Sequence, residues 1–192
     1  CEAILQAWYP GQAGGQAVAE VLFGDYNPAG KLPLTFYRNL AQIPDFEDYN
    51  MTGRTYRYMK ETPLFPFGHG LSYTTFKYGK LKMNDDKIAA GQNLNLVIPV
   101  TNTGSRDGDE VVQVYLKKMD DTEGPVKTLR AFKRVRIPAG KTVEVKFSLD
   151  DTQLEWWDEQ SNTMRVCPGN YTVMIGGTSC EKSLLSRAFT IR

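Results

Sequence analysis

From about Thr75 onward, apolar and polar residues alternate in short runs. Leu94, Leu96, Ile98 and Val100 share one parity, as do Val112, Val114 and Leu116. Val143, Val145, Phe147 and Leu149 repeat the pattern, followed by Tyr171, Val173 and Ile175, then Phe189 and Ile191. A period of two is the signature of a strand with one face turned to a core. Turn formers separate the runs: Asn102-Thr103-Gly104, Ala139-Gly140, Pro168-Gly169 and Gly176-Gly177. About seven such strands predict an immunoglobulin-like or fibronectin-III-like sandwich over residues 75–192. That stretch is long enough to bury its own core. Tyr171, near the start of the penultimate strand, is placed to make a tyrosine corner.

The start of the chain has a different grammar. Ala3 to Tyr9 reads as a strand ended by Pro10-Gly11. Gln12 to Phe23 places Ala13, Ala17, Val18, Val21 and Leu22 at helical spacing, with Gly24 where a glycine stops a helix. Gly14 and Gly15 are poor helix formers and suggest a close approach of the first turn to another backbone or a ligand. Asn27-Pro28-Ala29-Gly30 is a turn, and Lys31 to Phe36 a second strand. A β-α-β piece over residues 1–36 cannot cover both faces of a sheet and requires further neighbours, so the chain is expected to be part of something longer. Residues 37–74 show little periodicity but many aromatics and turn formers, which predicts packed connecting loops and not disorder.

Composition narrows the chemistry. The chain has 192 residues, with 23 basic and 22 acidic side chains and a formal charge of +1. Intermixed signs leave no electrostatic footprint for nucleic acid or an anionic membrane, and no apolar run approaches the ~18–20 residues of a spanning helix. One histidine and three cysteines give no expectation of a zinc site, so no metal and no cofactor are expected. Cys167 and Cys180 bracket the strand at Tyr171–Ile175; a straight strand holds its ends too far apart for a disulfide. Carboxylate acid/base chemistry is the enzyme class least disfavoured by this inventory.

The individual clusters support modest roles. Asp107-Gly108-Asp109-Glu110 lacks the spacing of an EF-hand loop and reads as a solvated turn entering a strand. Asp45-Phe46-Glu47-Asp48 lies in the aromatic loops, where neighbouring carboxylates rarely converge across a sugar ring. His69, between two glycines, reads as a packing or hydrogen-bonding residue, because no orienting acid accompanies Ser72. Trp156 and Trp157 point to opposite faces of a strand, so one belongs to the core. Arg54-Thr55-Tyr56-Arg57-Tyr58 either hydrogen-bonds a sugar or an acid, or braces an interdomain seam.

Four segments carry a further signal: A-W-Y-P-G-Q-A-G-G-Q-A-V-A-E-V-L-F-G-D-Y-N-P-A-G-K-L-P-L-T-F at 7–36, G-R-T-Y-R-Y at 53–58, F-P-F-G-H-G-L-S-Y-T-T-F at 65–76, and V-T-N-T-G-S-R-D-G-D-E-V-V-Q-V-Y at 100–115. In this order they resemble family 3 glycoside hydrolases, the β-glucosidase and β-xylosidase group. The resemblance implies a barrel, an α/β sandwich and a fibronectin-III-like domain in succession. This chain then holds the end of the second (1–36), aromatic-rich connecting loops (37–74) and the whole of the third (75–192), a mainly β chain. The family's nucleophile Asp and acid/base Glu precede the segment matching Ala7 to Phe36, so no catalytic residue is carried over. The parent is expected to hydrolyse non-reducing-end β-glycosides with retention and to be secreted or periplasmic. This part is expected to be inactive alone and to brace the catalytic domains. Loops 8–11 and 45–58 are expected to border the sugar site, with Trp8, Tyr9, Arg54 and Tyr56 as substrate contacts. The partners are then the upstream domains and a glycoside substrate, with homo-oligomerisation left open. The competing reading is an independent carbohydrate-binding or adhesion sandwich.

Overall fold

The computed structural model describes residues 2–192. The alternating runs form eleven strands: β1 (Phe76–Tyr78), β2 (Lys82–Met83), β3 (Lys87–Ile88), β4 (Leu94–Asn102), β5 (Gly108–Lys118), β6 (Thr128–Ile137), β7 (Thr142–Leu149), β8 (Trp156–Asp158), β9 (Thr163–Arg165), β10 (Gly169–Gly176) and β11 (Leu185–Ile191). One sheet is built on β4, which pairs with β7 along one edge and with β1 and β2 along the other. The second runs β3-β11-β10-β5-β6, and β8 and β9 form a separate ribbon. Three helices, α1 (Gly14–Phe23), α2 (Thr55–Tyr58) and α3 (Asp151–Leu154), complete the regular structure with two short 3₁₀ turns.

The sandwich core lies where the alternation predicts it. Leu94, Leu96, Ile98 and Val100 of β4 face Val112, Val114 and Leu116 of β5, and all are fully buried. Each aliphatic side chain removed from water contributes roughly 1.5–3 kcal/mol. Tyr171 makes the tyrosine corner: its hydroxyl donates to the Cys167 carbonyl at 2.8 Å. Its ring lies between Trp156, edge-on at 6.2 Å, and Phe189, stacked at 5.5 Å. Trp156 is the core member of the tryptophan pair, whereas Trp157 is half exposed. Cys167 and Cys180 are free thiols. Cys1 lies outside the described residues.

The core also closes around one polar side chain. Asn102, fully buried at the end of β4, donates through Nδ2 to the carbonyls of Arg106 and Ile137. Its Oδ1 accepts from Thr74 Oγ1 and the Gly104 amide. Every hydrogen-bonding position of the amide is occupied, as burial of such a group requires.

Residues 1–36 differ from the expected strand–helix–strand. The helix forms, starting at Gly14, with Gly24 as its left-handed cap. Gly14 abuts the ring of Pro10, four residues earlier, which would lie 2.5 Å from an added Cβ, so its close approach is to a side chain and not to the backbone or ligand expected, and Gly15 has open space. The flanking segments are not strands. Ala3–Tyr9 has no strand beside it among the described residues. Lys31–Phe36 does run beside Leu64–His69, where Leu32 N donates to His69 O, Gly68 N to Leu32 O and Phe36 N to Phe65 O. Pro33 and Pro66 lack the N–H that a continuous ladder needs, so only an isolated bridge, Phe36 to Phe65, remains.

Removing the corner hydroxyl leaves the buried Cys167 carbonyl without its partner. Tyr171→Phe is expected to lower unfolding free energy by about 1–3 kcal/mol with an unchanged urea m-value. A change within 0.3 kcal/mol, on the order of experimental additivity error, would show that the corner does not support the fold.

Candidate functional site

The four residues expected to contact substrate stand in two groups. Trp8 and Tyr9 precede α1 and are exposed, Tyr9 completely. Arg54 caps the N-terminus of α2 and Tyr56 lies within it. No hydrogen bond or ring contact joins the two groups among the described residues.

Arg54 spends its guanidinium on backbone. Nε donates to Asn50 O at 2.9 Å, and one terminal nitrogen reaches the carbonyls of Asp45 and Asp48. Three carbonyls of a short loop are thus gathered on one cation. Within that loop Asp45 Oδ1 accepts from the Glu47 amide, and Asp48 Oδ1 from the amide and side chain of Asn50. These donors hold the Asp48 carboxyl below the ordinary carboxylate range. Asp45 and Asp48 are therefore turn-forming acceptors, and Asp48 is an ionised group, not an acid poised to donate. The shaped loop leaves an open groove of about 600 Å³, lined by Leu40, Ile43, Phe46, Asp48, Tyr49 and Arg54. The rings of Phe46 and Tyr49 are almost wholly exposed, a chemistry suited to stacking on apolar sugar faces. The sequence marks these two residues as loop aromatics; their gathering around Arg54 depends on hydrogen bonds to backbone, which leave no side-chain pattern to read.

Tyr56 belongs to the seam. Its ring stacks on Phe67 at 4.4 Å and meets Tyr115 edge-on at 5.8 Å, and its hydroxyl accepts from the Leu129 amide. The same seam holds Gln113, whose side chain donates to Gly177 O and Gly68 O and accepts from the Tyr115 hydroxyl. Gly68 sits at φ +77°, and an added Cβ would overlap the Gln113 amide at 2.1 Å, so a side chain there would strain the backbone and push Gln113 off its hydrogen bonds.

The acidic run at Asp107 divides among separate partners. Asp107 pairs with Arg136 and accepts from the Ala139 amide; Asp109 pairs with Arg134 at 2.7 Å. Glu110 is buried and meets Lys31 at 3.3 Å, tying the segment after α1 to the sandwich. Burial raises the Glu110 carboxyl, and Lys31 opposes that shift only in part. His69 stacks on Phe65 at 5.3 Å, and Ser72 directs its hydroxyl to the Thr74 carbonyl. Among the described residues no three His, Cys, Asp or Glu side chains gather as a metal site.

Residues 1–73 match the glycosyl hydrolase family 3 C-terminal domain, and residues 110–179 the fibronectin type III-like domain. A xylan 1,4-β-xylosidase of Xylanibacter ruminicola is 52% identical over 191 residues, spanning 100% of this chain and 22% of that protein. The chain is a C-terminal portion of a family 3 glycoside hydrolase. A periplasmic β-glucosidase of Salmonella typhimurium is 39% identical, with 94% of this chain aligned to 25% of that protein. The structure of β-glucosidase 3B from Thermotoga neapolitana, in complex with α-D-glucose, superposes with a TM-score of 0.81 at 33% identity, covering 95% of this chain and 27% of that one. The chain thus spans about a quarter of the length of these family members.

The one histidine of this family 3 chain gives a clean reporter of the seam. Burial, and then the Lys31 charge, hold the His69 imidazole below its ordinary value of 6.5. The folded state therefore binds fewer protons than the unfolded one just below pH 6.5, and stability rises with pH through that window. A proton NMR titration is expected to show a single imidazole midpoint below 6.5, moved partway back up in Lys31→Met. A midpoint that ignores the substitution would remove Lys31 from the surroundings of His69.

Proposed function

We propose that the chain is the C-terminal, non-catalytic part of a retaining β-glycosidase of the β-glucosidase or β-xylosidase type. In this reading it braces the upstream catalytic domains and lends loops to the edge of the sugar site. The observation that carries the proposal is the match along the whole chain to β-xylosidases and β-glucosidases of which it spans only a quarter. The carboxylates of the two acidic runs agree. Those of the aromatic loop are held by turns, and those at Asp107–Glu110 by separate cations, so none forms the facing acid pair that glycoside hydrolysis uses.

Residues 1–36, 37–74 and 75–192 are then three working parts: the last helix of an α/β domain, a packed connector, and the sandwich. The first two expose Tyr9, Phe23, Leu40, Phe46, Tyr49 and Leu71. This apolar surface is the one the preceding domains would cover. Trp8, Tyr9 and Arg54 border the sugar site, Arg54 by shaping the groove that presents Phe46 and Tyr49. Tyr56 contributes by fixing α2 on the sandwich. The periplasmic relative supports a secreted or periplasmic parent.

The purified chain alone is expected to release no nitrophenol from aryl β-glucosides or β-xylosides, and turnover abolished by no contaminant-directed control would sink the reading. In the full-length parent, Arg54→Ala is expected to raise KM roughly tenfold, about 1.4 kcal/mol of binding, with kcat little changed. Unaltered KM and kcat would remove loop 45–58 from the site.

A further inference from the structure

We propose that Asp48 is a specificity-determining residue of the groove at 40–54, accepting hydrogen bonds from the hydroxyls of a neutral sugar whose apolar face lies on Phe46 and Tyr49. This role deepens the β-glycosidase reading and rests on it for the class of ligand.

One groove brings the groups together. Phe46, Asp48, Tyr49 and Arg54 line the same open cleft of about 600 Å³, within the usual range for a small-ligand site. Phe46 is 93% exposed, Tyr49 89% and Leu40, beside them, 83%. A single exposed ring is ordinary, but two rings and a leucine in one concave place form an apolar patch that marks a binding surface.

The polar wall decides what covers that patch. Asp48 Oδ1 takes both local donors, the Asn50 amide and side chain, and Oδ2 takes no hydrogen bond among the described residues. The bonds on Oδ1 keep the carboxyl ionised, so the wall holds a charged acceptor with unused lone pairs. Arg54 directs Nε and one terminal nitrogen to carbonyls, and its other terminal nitrogen makes no hydrogen bond among the described residues. A protein surface laid over this wall would strip water from a charged acceptor and a charged donor, at a high cost unless it matched each of them. A sugar matches both. Each hydroxyl donates and accepts, and the C–H face of a pyranose packs on aromatic rings.

Charge counting narrows the class. Residues 45–54 hold Asp45, Glu47 and Asp48 against one cation, Arg54. An acidic sugar meets a surplus of its own charge there. Between a neutral sugar and an aminosugar, the xylosidase and glucosidase relatives favour the neutral one.

The 192-residue chain is titrated at constant ionic strength with glucose, xylobiose, glucosamine hydrochloride and sodium glucuronate, and the ring protons of Phe46 and Tyr49 are followed by NMR. Glucose and xylobiose are expected to shift both rings with Kd of order 10 mM, and glucuronate to bind roughly threefold more weakly or worse. Asp48→Asn keeps an Oδ1 acceptor for the Asn50 donors and removes the charge. It is expected to weaken glucose roughly fivefold and to leave glucuronate no weaker, closing the gap between them. Raising the salt is expected to narrow the same gap in the unaltered chain, a measurement that carries the test if Asp48→Asn does not fold. Equal weakening of glucose and glucuronate in Asp48→Asn assigns the residue to holding the loop and overturns the proposal. So do rings that ignore both neutral sugars, glucuronate binding as tightly as glucose, or glucosamine binding more tightly than glucose. Hydrolysis of aryl β-glycosides by the full-length parent tests the underlying reading separately. Cleavage by the parent with silent rings in the chain overturns the role of Asp48 alone, whereas ring shifts without cleavage overturn the glycosidase reading and support the sugar groove.

Discussion

Strand β5 is buried on both of its faces, and the arrangement of the rest follows from that constraint. Val112, Val114 and Leu116 fill the sandwich core, while Gln113 and Tyr115 are equally buried on the other side. A strand in an ordinary sandwich leaves that second face to water. Here the connector between Arg54 and Gly70 lies over it, with Tyr56 and Phe67 stacked against Tyr115. Burying an amide on this face is tolerable because Gln113 finds two carbonyls and a hydroxyl. Those same bonds fix Gly68 and Gly177 to the strand. A segment with almost no regular structure is thereby tied to the sandwich at several points.

Fixing the connector fixes what it carries. α2 is placed on the start of β6 by Tyr56 and Arg57 through two backbone contacts, the Leu129 amide to the Tyr56 hydroxyl and the Val126 amide to the Arg57 carbonyl. Arg54, at the head of α2, then reaches back to gather the loop at 45–50. A second set of ties reaches α1. Arg106 caps its C-terminus at the Gly24 carbonyl, the Tyr73 hydroxyl donates to Val21 O, and Asn27 bridges Tyr73 N and Asp107 O. Most are neutral hydrogen bonds, each a modest contribution near 1 kcal/mol. Their number along one seam, joined by the buried Lys31–Glu110 pair, sets the orientation.

What the sequence discloses follows the range of the forces involved. The sandwich is legible because its strands share one core and one period; β4 from Leu94 to Asn102 is buried at every second position. The tyrosine corner is legible for the same reason, as is the division of Trp156 and Trp157 between core and surface, though not which of the two lies inside. The second buried face of β5 is not, because Val111-Val112-Gln113-Val114-Tyr115 carries too few polar residues to say what covers it. The flanks of α1 mislead because a strand is a property of a pair, and Pro33 and Pro66 interrupt the one pairing that Lys31–Phe36 makes. In Arg-Thr-Tyr-Arg-Tyr, three residues suited to binding serve three ends: Arg54 stitches a loop, Tyr56 packs a seam, and Arg57 is left without a side-chain hydrogen bond. Side-chain chemistry alone does not separate these, since each depends on which backbone lies within reach.

Backbone strain falls beside the two loops proposed to border the sugar site. Trp8 has φ 56° and Thr55 has φ 53°, both in the left-handed region that bulky and β-branched residues avoid. Asn162, the remaining residue of this kind, sits in a hairpin turn where asparagine is at ease. Strain of order 1–3 kcal/mol at such positions persists only where the surroundings over-determine the conformation. For Thr55 the surroundings are explicit: Arg54 is bound to three carbonyls before it, and Tyr56 is locked between Phe67 and Tyr115 after it. The chain must turn sharply between two fixed points, and Thr55 absorbs the turn. A loop held in that way has already lost the conformational freedom that ligand binding would otherwise remove. The groove carrying Phe46 and Tyr49 is thus set in shape by the sandwich behind it. On the proposed reading, a groove fixed in this way governs how tightly a substrate is held, while the bond-breaking step lies with residues elsewhere.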